Sequence, residues 1–284
     1  MGSDDLVLCA IDDSGVATLT LHDPERRNAW SPQMEARYFG LLDELAADTA
    51  VRAVVLTADG TIFCPGMAMT LLSNVAGTSG IPGERRSQYT PRSFPKPLIG
   101  AVNGACAGIG LVQVLQCDVR FASRTAKFTT SYSRRGIAAE HALTWVLPRL
   151  VGLENALDLL LSARVVPAAE AQRLGLVSRV CEPDELLPAA QAYARDLAEN
   201  CGPTAMATTR LATYANLDVD LTEAARRAYK GMYYFFDHPD LAEGISSFQE
   251  KRAPKFIPLD PAFDVRTVMD AAPQVPPGPP AQTG

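Results

Sequence analysis

Apolar residues recur along this chain with two different periods, and the switches between them mark its elements. Residues 16–22 (VATLTLH) alternate apolar and polar and predict a strand. Ser31-Pro32 marks a helix start, with Ser31 as N-cap and Pro32 at the first helical position, and that helix is expected to end at Ala46 or Ala47. Residues 51–57 (VRAVVLT) are β-branched and apolar, as in a buried strand. A turn at Asp59-Gly60 leads into residues 63–69, and residues 73–93, rich in Gly, Pro and Ser, read as a mobile loop. Pro95 and Pro97 stiffen the approach to an apolar strand, Leu98–Val102. Short strands are expected at 119–122, 127–129 and 177–180, and helices at 141–147, 153–163 and 167–174, the last closed by Gly175. From Asp184 onward the pattern is almost all helical, with a capping box at Asp220 and Glu223.

This order predicts an α/β chain with a strand–helix core over residues 1–200 and a helical region over 201–270. The last stretch, 271–284, is proline-rich and cannot bury a core, so it reads as a disordered tail. No tandem sequence repeat is visible.

Composition narrows the function classes. Hydrophobic residues make up 47% of the 284 and charged residues 20%, ordinary values for a globular protein. A net charge of −6 argues against a general nucleic-acid binder. No apolar run approaches a membrane span, and the acidic N-terminus carries no export signal, so a cytoplasmic protein is expected. The six cysteines lack CxxC spacing and read as reduced, buried thiols, with no metal site expected.

The candidate chemistry begins at residues 94–118 (FPKPLIGAVNGACAGIGLVQVLQCD), where glycines at 104, 108 and 110 lead directly into an apolar stretch. Glycines let backbone N–H groups approach a ligand, and an emerging helix favours negative charge there. Such a loop suits an anion, either bound or formed during a reaction. GACAGIG lacks the G-x-G-x-x-G spacing of a dinucleotide site, and neither a phosphate-binding P-loop nor a G-x-S-x-G elbow is present.

Five segments, in order, resemble the crotonase (enoyl-CoA hydratase/isomerase) superfamily. They are residues 23–29 (DPERRNA), 63–69 (FCPGMAM), 97–118, 168–177 (AAEAQRLGLV) and 248–256 (FQEKRAPKF). The resemblance spans nearly the whole chain, and the order and spacing carry it. It implies a spiral of ββα units followed by C-terminal helices that assemble trimers, often paired into hexamers. It also implies an acyl-CoA thioester as substrate, with no separate cofactor, and an oxyanion hole of two backbone N–H groups that stabilises an enolate. By position those donors belong to Met67 and Ile109. Ala29, Gly66, Ala68, Met69, Gly108, Gly110 and Tyr132 fall at positions that line the acyl-CoA site. Arg26 and Arg27 are candidates for coenzyme A phosphates, and Phe248 and Lys251 match C-terminal positions that approach its adenine and phosphates. The paired arginines read equally well as a solvated surface.

Hydratases of the family use two glutamates, and the matching positions here are Val112 and Tyr132. Water addition through a glutamate pair is therefore not expected. Residues 136–141 (GIAAEH) resemble the segment of enoyl-CoA isomerases whose glutamate shuttles a proton, which points to Glu140. One carboxylate beside an acyl chain can remove a proton and return it two carbons away. Flanking alanines and Leu143 predict an apolar setting that raises its pKa. A helix N-terminal carboxylate is the structural alternative. His141 is a candidate to orient Glu140, Asp118 is expected to tie down the loop after the apolar stretch, and Trp145 is assigned to the core or the acyl pocket. The expected function is double-bond isomerisation of an enoyl-CoA, the alternative a non-catalytic acyl-CoA-binding protein on the same scaffold.

Overall fold

The computed structural model describes residues 3–75, 77–78 and 85–270. The expected tail at 271–284 and residues 76 and 79–84 of the expected mobile loop lie outside them. The described residues divide into two units, one ending at Ala198 and the other beginning at Glu199.

In the first unit a short antiparallel hairpin, β1 (Val7–Ile11) and β2 (Val16–Leu21), opens the chain. Helix α1 (Pro32–Ala47) follows, capped as expected by the Ser31 hydroxyl accepting from the Met34 N–H. After it a two-strand rhythm sets in. β3 (Ala53–Ala58), β4 (Ile62–Cys64) and α2 (Met69–Val75) form one turn of chain. β5 (Leu98–Val102), β6 (Ala105–Ala107) and α3 (Ile109–Leu115) form the next. β7 (Val119–Ser123) and β8 (Lys127–Thr129), then α4 (Leu143–Val151) and α5 (Leu153–Ser162), form a third. The unit closes with β9 (Val166–Pro167), α6 (Ala168–Arg173), β10 (Arg179–Cys181) and α7 (Leu186–Asn200).

The first strand of each turn enters a six-stranded sheet in the order β1-β2-β3-β5-β7-β10, and the second enters a four-stranded sheet, β4-β6-β8-β9. From β2 to β10 the large sheet is parallel, as are β4, β6 and β8 in the small one. The result is the expected spiral of ββα units: a structural repeat without a sequence repeat. Parallel strands covered on both faces read as continuous apolar runs, and β3 and β5 are buried throughout. One face packs into the main core with α1 and α3. The other face, through Val55, Ile99 and Phe121, is covered by Leu186, Ala190 and Ala194 of α7.

Gly104 and Gly110 make the close packing possible. A Cβ on Gly104 would stand 2.0 Å from the Thr61 carbonyl oxygen, and one on Gly110 would stand 2.7 Å from both Cβ and O of Cys64. α3 therefore lies directly on β4. Asp118 ties its loop as expected, its carboxylate accepting from the Leu98 N–H at 2.8 Å.

The second unit is helical, as the sequence pattern predicts: α8 (Pro203–Asn216), α9 (Leu221–Phe236), α10 (Pro239–Glu250) and α11 (Val265–Met269). The Asp220 carboxylate caps α9 by accepting from the Glu223 N–H. Leu221, Tyr229, Phe236 and Phe248 are exposed on this unit. No described helix is long and apolar enough to cross a membrane.

Several expectations need correction. Cys64, Cys106 and Cys117 are buried thiols, but Cys9 is exposed and Cys181 and Cys201 are partly so. β6 lies within the glycine-rich loop and α2 runs into the expected mobile loop, while β4 falls where no element is expected, because each is held by its sheet or helix neighbours more than by its own pattern. Residues 85–93, within the expected mobile loop, are anchored. Arg85 pairs with Glu35, Arg86 pairs with Asp43, and a 3₁₀ turn forms at Thr90–Ser93.

Candidate active site

Parallel strands deliver their following loops to one edge, and ligands of open α/β sheets bind outside the carboxyl ends of strands. Here the small sheet does this. The loops after β4, β6 and β8 meet around one cavity of about 90 Å³, lined by Gly66, Met67, Met69, Gly108, Ile109 and the segment 130–141. Drug-sized pockets run to roughly 300–1,000 Å³, so this cavity holds a small reacting group, not the whole of a large ligand.

The first wall is backbone. Gly66 (φ +103°) and Gly108 (φ +51°) both occupy left-handed space, where a side chain is strained. They lie back to back: a Cβ on Gly66 would be 3.3 Å from the Ala107 carbonyl oxygen, and one on Gly108 would be 3.8 Å from the Gly66 Cα. Trp30 fixes the outer loop by donating its N–H to the Gly66 carbonyl at 2.8 Å. That bridge leaves the Met67 N–H outside it, and Ile109 is the first residue of α3, where an N–H has no intrahelical acceptor. Neither N–H has an acceptor among the described residues.

The indole of Trp30 in turn donates to Glu35 at 3.0 Å, and the Arg85 guanidinium donates to the same carboxylate. Burial opposes ionisation of Glu35, but these donated hydrogen bonds outweigh it and hold its pKa below the ordinary carboxylate value.

The second wall is side chain. Tyr132, Glu140 and His141 line it, together with Thr130, Ser131, Arg135 and Ile137. Two of its non-glycine residues, Ser131 (+66°) and His141 (+53°), and the adjoining Ala142 (+60°) have positive φ. Such conformations carry strain and cluster at functional sites. Glu140 does not sit in the enclosed apolar setting expected of it, since its side chain is 51% exposed at the cavity edge. The alanines that flank it are themselves at the surface, Ala138 and Ala142 exposed and Ala139 half-buried, so they build no enclosure around the carboxylate. Glu140 lies two residues before the N-cap residue Ala142 of α4, and its carboxylate stands 3.5 Å from the His141 Nε2. Burial lowers the pKa of His141, partly opposed by Glu140, so the ring is neutral at neutral pH. Burial, reinforced by Glu140, raises the pKa of the Tyr132 phenol.

Of the residues singled out from sequence, Gly66, Met67, Met69, Gly108, Ile109, Tyr132 and Glu140 line this one cavity. Ala68 and Gly110 stand behind it. Arg26 and Arg27 are exposed on the loop before Trp30, and Ala29 is half-buried. That loop is held by buried Asn28, whose amide donates to the carbonyls of Asp59 and Ile62. Phe248 and Lys251 belong to the second unit, Phe248 exposed and Lys251 closing α10 with φ +54°. Val112 is fully buried in the core and does not face the cavity. Trp145 lies between the guanidinium groups of Arg92 and Arg149 instead of lining an acyl pocket. Cys64, beneath the first wall, is no nucleophile, since burial pushes its thiol up to about 12. Among the described residues no cluster of His, Cys, Asp or Glu forms a metal site. Ser131 and Arg135, not assigned to the site from sequence, carry no motif of their own and reach the cavity through the turn after β8, and Ile137 reaches it within the GIAAEH segment.

Two loops that follow parallel strands thus face a glutamate across one cavity. The enoyl-CoA hydratase/isomerase family matches residues 12–258. The chain belongs to this family. It is 33% identical over 263 residues to the 1,2-epoxyphenylacetyl-CoA isomerase of Escherichia coli, covering 86% of this chain and 95% of that one. It is 32% identical over 254 residues to the enoyl-CoA hydratase ACTT3 of Alternaria alternata, covering 86% and 84%. A crystal structure of an enoyl-CoA hydratase from Polaromonas superposes with a TM-score of 0.82 at 27% identity, covering 88% of this chain and 99% of that one. This membership makes the chain an enzyme of the enoyl-CoA hydratase/isomerase type. The relatives carry both hydratase and isomerase names, so the choice between the two reactions rests on the site.

Proposed function

We propose that the chain moves the double bond of an enoyl-CoA, with Met67 and Ile109 as oxyanion donors and Glu140 as the proton carrier. The observation that carries this reading is the convergence of these three residues on one cavity. In the proposed reaction the Glu140 carboxylate takes a proton from Cα of a 3-enoyl thioester. The electron pair left behind spreads over the enone system and places negative charge on the thioester oxygen. That oxygen accepts from the two N–H groups, which are held in place before the charge develops. Glu140 then returns the proton to Cγ, and the double bond stands between Cα and Cβ. Neutral His141 places no full positive charge beside Glu140, which preserves the basicity of the carboxylate. Hydration needs water activated by a carboxylate, and the positions that supply one in hydratases are occupied by Val112, buried away from the cavity, and Tyr132.

Exposed Arg26 and Arg27 are the proposed contacts for coenzyme A phosphates, and Phe248 and Lys251 of the second unit are proposed separately as contacts for the adenine and phosphates of a coenzyme A. The exposed apolar residues of α9 and α10 support a trimer or dimer of trimers, which sedimentation of the purified protein measures.

Incubation of wild-type protein and Glu140→Ala with 3-enoyl-CoA and 2-enoyl-CoA tests the reading, following migration and water addition together. Migration is expected to fall about 10²- to 10⁴-fold in Glu140→Ala. Efficient hydration that survives the substitution would overturn the assignment. The exposure of Glu140 and the burial of Val112 also support a second reading, an acyl-CoA-binding protein, for which tight binding without turnover is the signature.

A further inference from the structure

Tyr132 is held more firmly than its place in a loop suggests. Its carbonyl accepts from the Arg135 and Ile137 N–H groups. The hydroxyls around it are committed to α5 and the residue after it: Thr129 donates to the Ala163 carbonyl, Thr130 to Leu159 and Ser133 to Leu160. The Tyr132 hydroxyl has no such commitment. The residue is 6% exposed, lines the cavity, and its phenol oxygen meets no hydrogen-bond partner among the described residues. Native structures seldom leave a buried hydroxyl unpaired, because its desolvation is then uncompensated. Since burial and Glu140 both disfavour the phenolate, the group is an O–H donor throughout the ordinary pH range.

We propose that the Tyr132 hydroxyl selects acyl thioesters that carry an oxygen on the acyl chain, hydroxy or oxo, by donating a hydrogen bond to that oxygen. This rests on the reading of the cavity as an acyl-thioester site. The thioester oxygen itself is served by the two N–H groups of the opposite wall, so a further donor among side chains finds its partner farther along the acyl group. A plain hydrocarbon chain would cover the phenol and leave it unpaired. Sites built to hydrogen-bond a substrate oxygen reject analogues that lack it, for this reason.

The test is equilibrium binding of butyryl-CoA, 3-hydroxybutyryl-CoA and acetoacetyl-CoA, none of which carries a double bond to migrate. Wild-type protein and Tyr132→Phe are each measured with and without Glu140→Gln, which suppresses turnover. Wild-type protein is expected to bind at least one oxygenated thioester about tenfold more tightly than butyryl-CoA. The hydroxy and oxo probes separate the two oxygen types. Tyr132→Phe should erase the preference while holding butyryl-CoA as well as or better than before. Equal affinities in wild-type protein, or a preference that persists in Tyr132→Phe, overturn the proposal. So does uniform weakening of all three, which marks a structural role. Failure of Glu140 as proton carrier leaves the binding preference intact. Binding of none of the three to wild-type protein overturns the thioester reading, and the proposal with it.

Discussion

The two walls of the cavity are made from different material. Around Met67 and Ile109 the wall is backbone, and glycines at 66, 108 and 110 press the loops against one another and against β4. Around Glu140 the wall is made of side chains, beside a turn with two consecutive left-handed residues, His141 and Ala142, open to solvent at its edge. A backbone wall tolerates changes of side chain but no added Cβ at its glycines. A side-chain wall tolerates backbone adjustment, but its chemistry changes with a single residue.

The comparison is broken most directly at Gly110. Alanine there would place its Cβ 2.7 Å from the Cys64 carbonyl oxygen, so α3 must move off β4. Overpacking of this kind costs about 3 kcal/mol or more when backbone is the obstacle. Urea unfolding of Gly110→Ala should show that loss, and an unchanged midpoint would mean the first wall is not close-packed. Glu35→Gln reaches the same wall from behind. It leaves Arg85 without its buried counter-charge and weakens the acceptor of Trp30, whose N–H holds Gly66. Removing one partner of a buried pair costs about 3–5 kcal/mol, and the partial exposure of Arg85 reduces this to about 2 kcal/mol. Because the folded-state pKa of Glu35 is depressed, its contribution is present above the unfolded value near 4.5 and lost as pH falls through the folded value. Glu35→Gln should therefore flatten the acid limb of stability against pH.

How far the sequence reveals each wall follows from the same contrast. The strands of the large sheet are legible because burial on both faces demands continuous apolar runs: Leu98–Val102 is strand over the whole span expected. The glycine wall is legible because Gly108 and Gly110 meet conditions no other residue type meets. The strands β4 and β6 are not, since three residues carry too little periodicity, and their pairing with each other is what defines them. On the second wall, the identity of Glu140 is legible but its surroundings are not. Counting neighbouring alanines predicts an apolar enclosure, whereas Ala138 and Ala142 are exposed along with the carboxylate. Trp145 packs against the main core, one of its two expected places, but its stacking partners are not legible, because they are sequence-distant Arg92 and Arg149 one helical turn on.

Smaller effects sharpen the picture of the second wall. Ala142 caps α4 at φ +60°, a conformation that costs an alanine about 1 kcal/mol relative to a right-handed one and costs glycine almost nothing. Ala142→Gly should stabilise the protein by about 0.5 kcal/mol, after the extra entropy of the unfolded glycine chain is subtracted. A larger drop in activity than in stability would show that the rigidity of this turn serves Glu140.

The smallest effect belongs to His141, and its sign is fixed by burial. The ring is mostly enclosed and its pKa lies below the ordinary 6.5, so the unfolded chain binds a proton there more readily than the folded one. Stability must then rise with pH across the interval between the folded value and 6.5, and fall again on acidification below 6.5. His141→Asn removes this dependence while keeping a residue that tolerates left-handed backbone. Thermal midpoints of the two proteins should run parallel above pH 7 and diverge below 6.5, with the wild type losing more. Divergence in the opposite sense would mean that Glu140 dominates the ring, holds it as a cation, and pairs with it as a charge instead of standing beside a neutral neighbour.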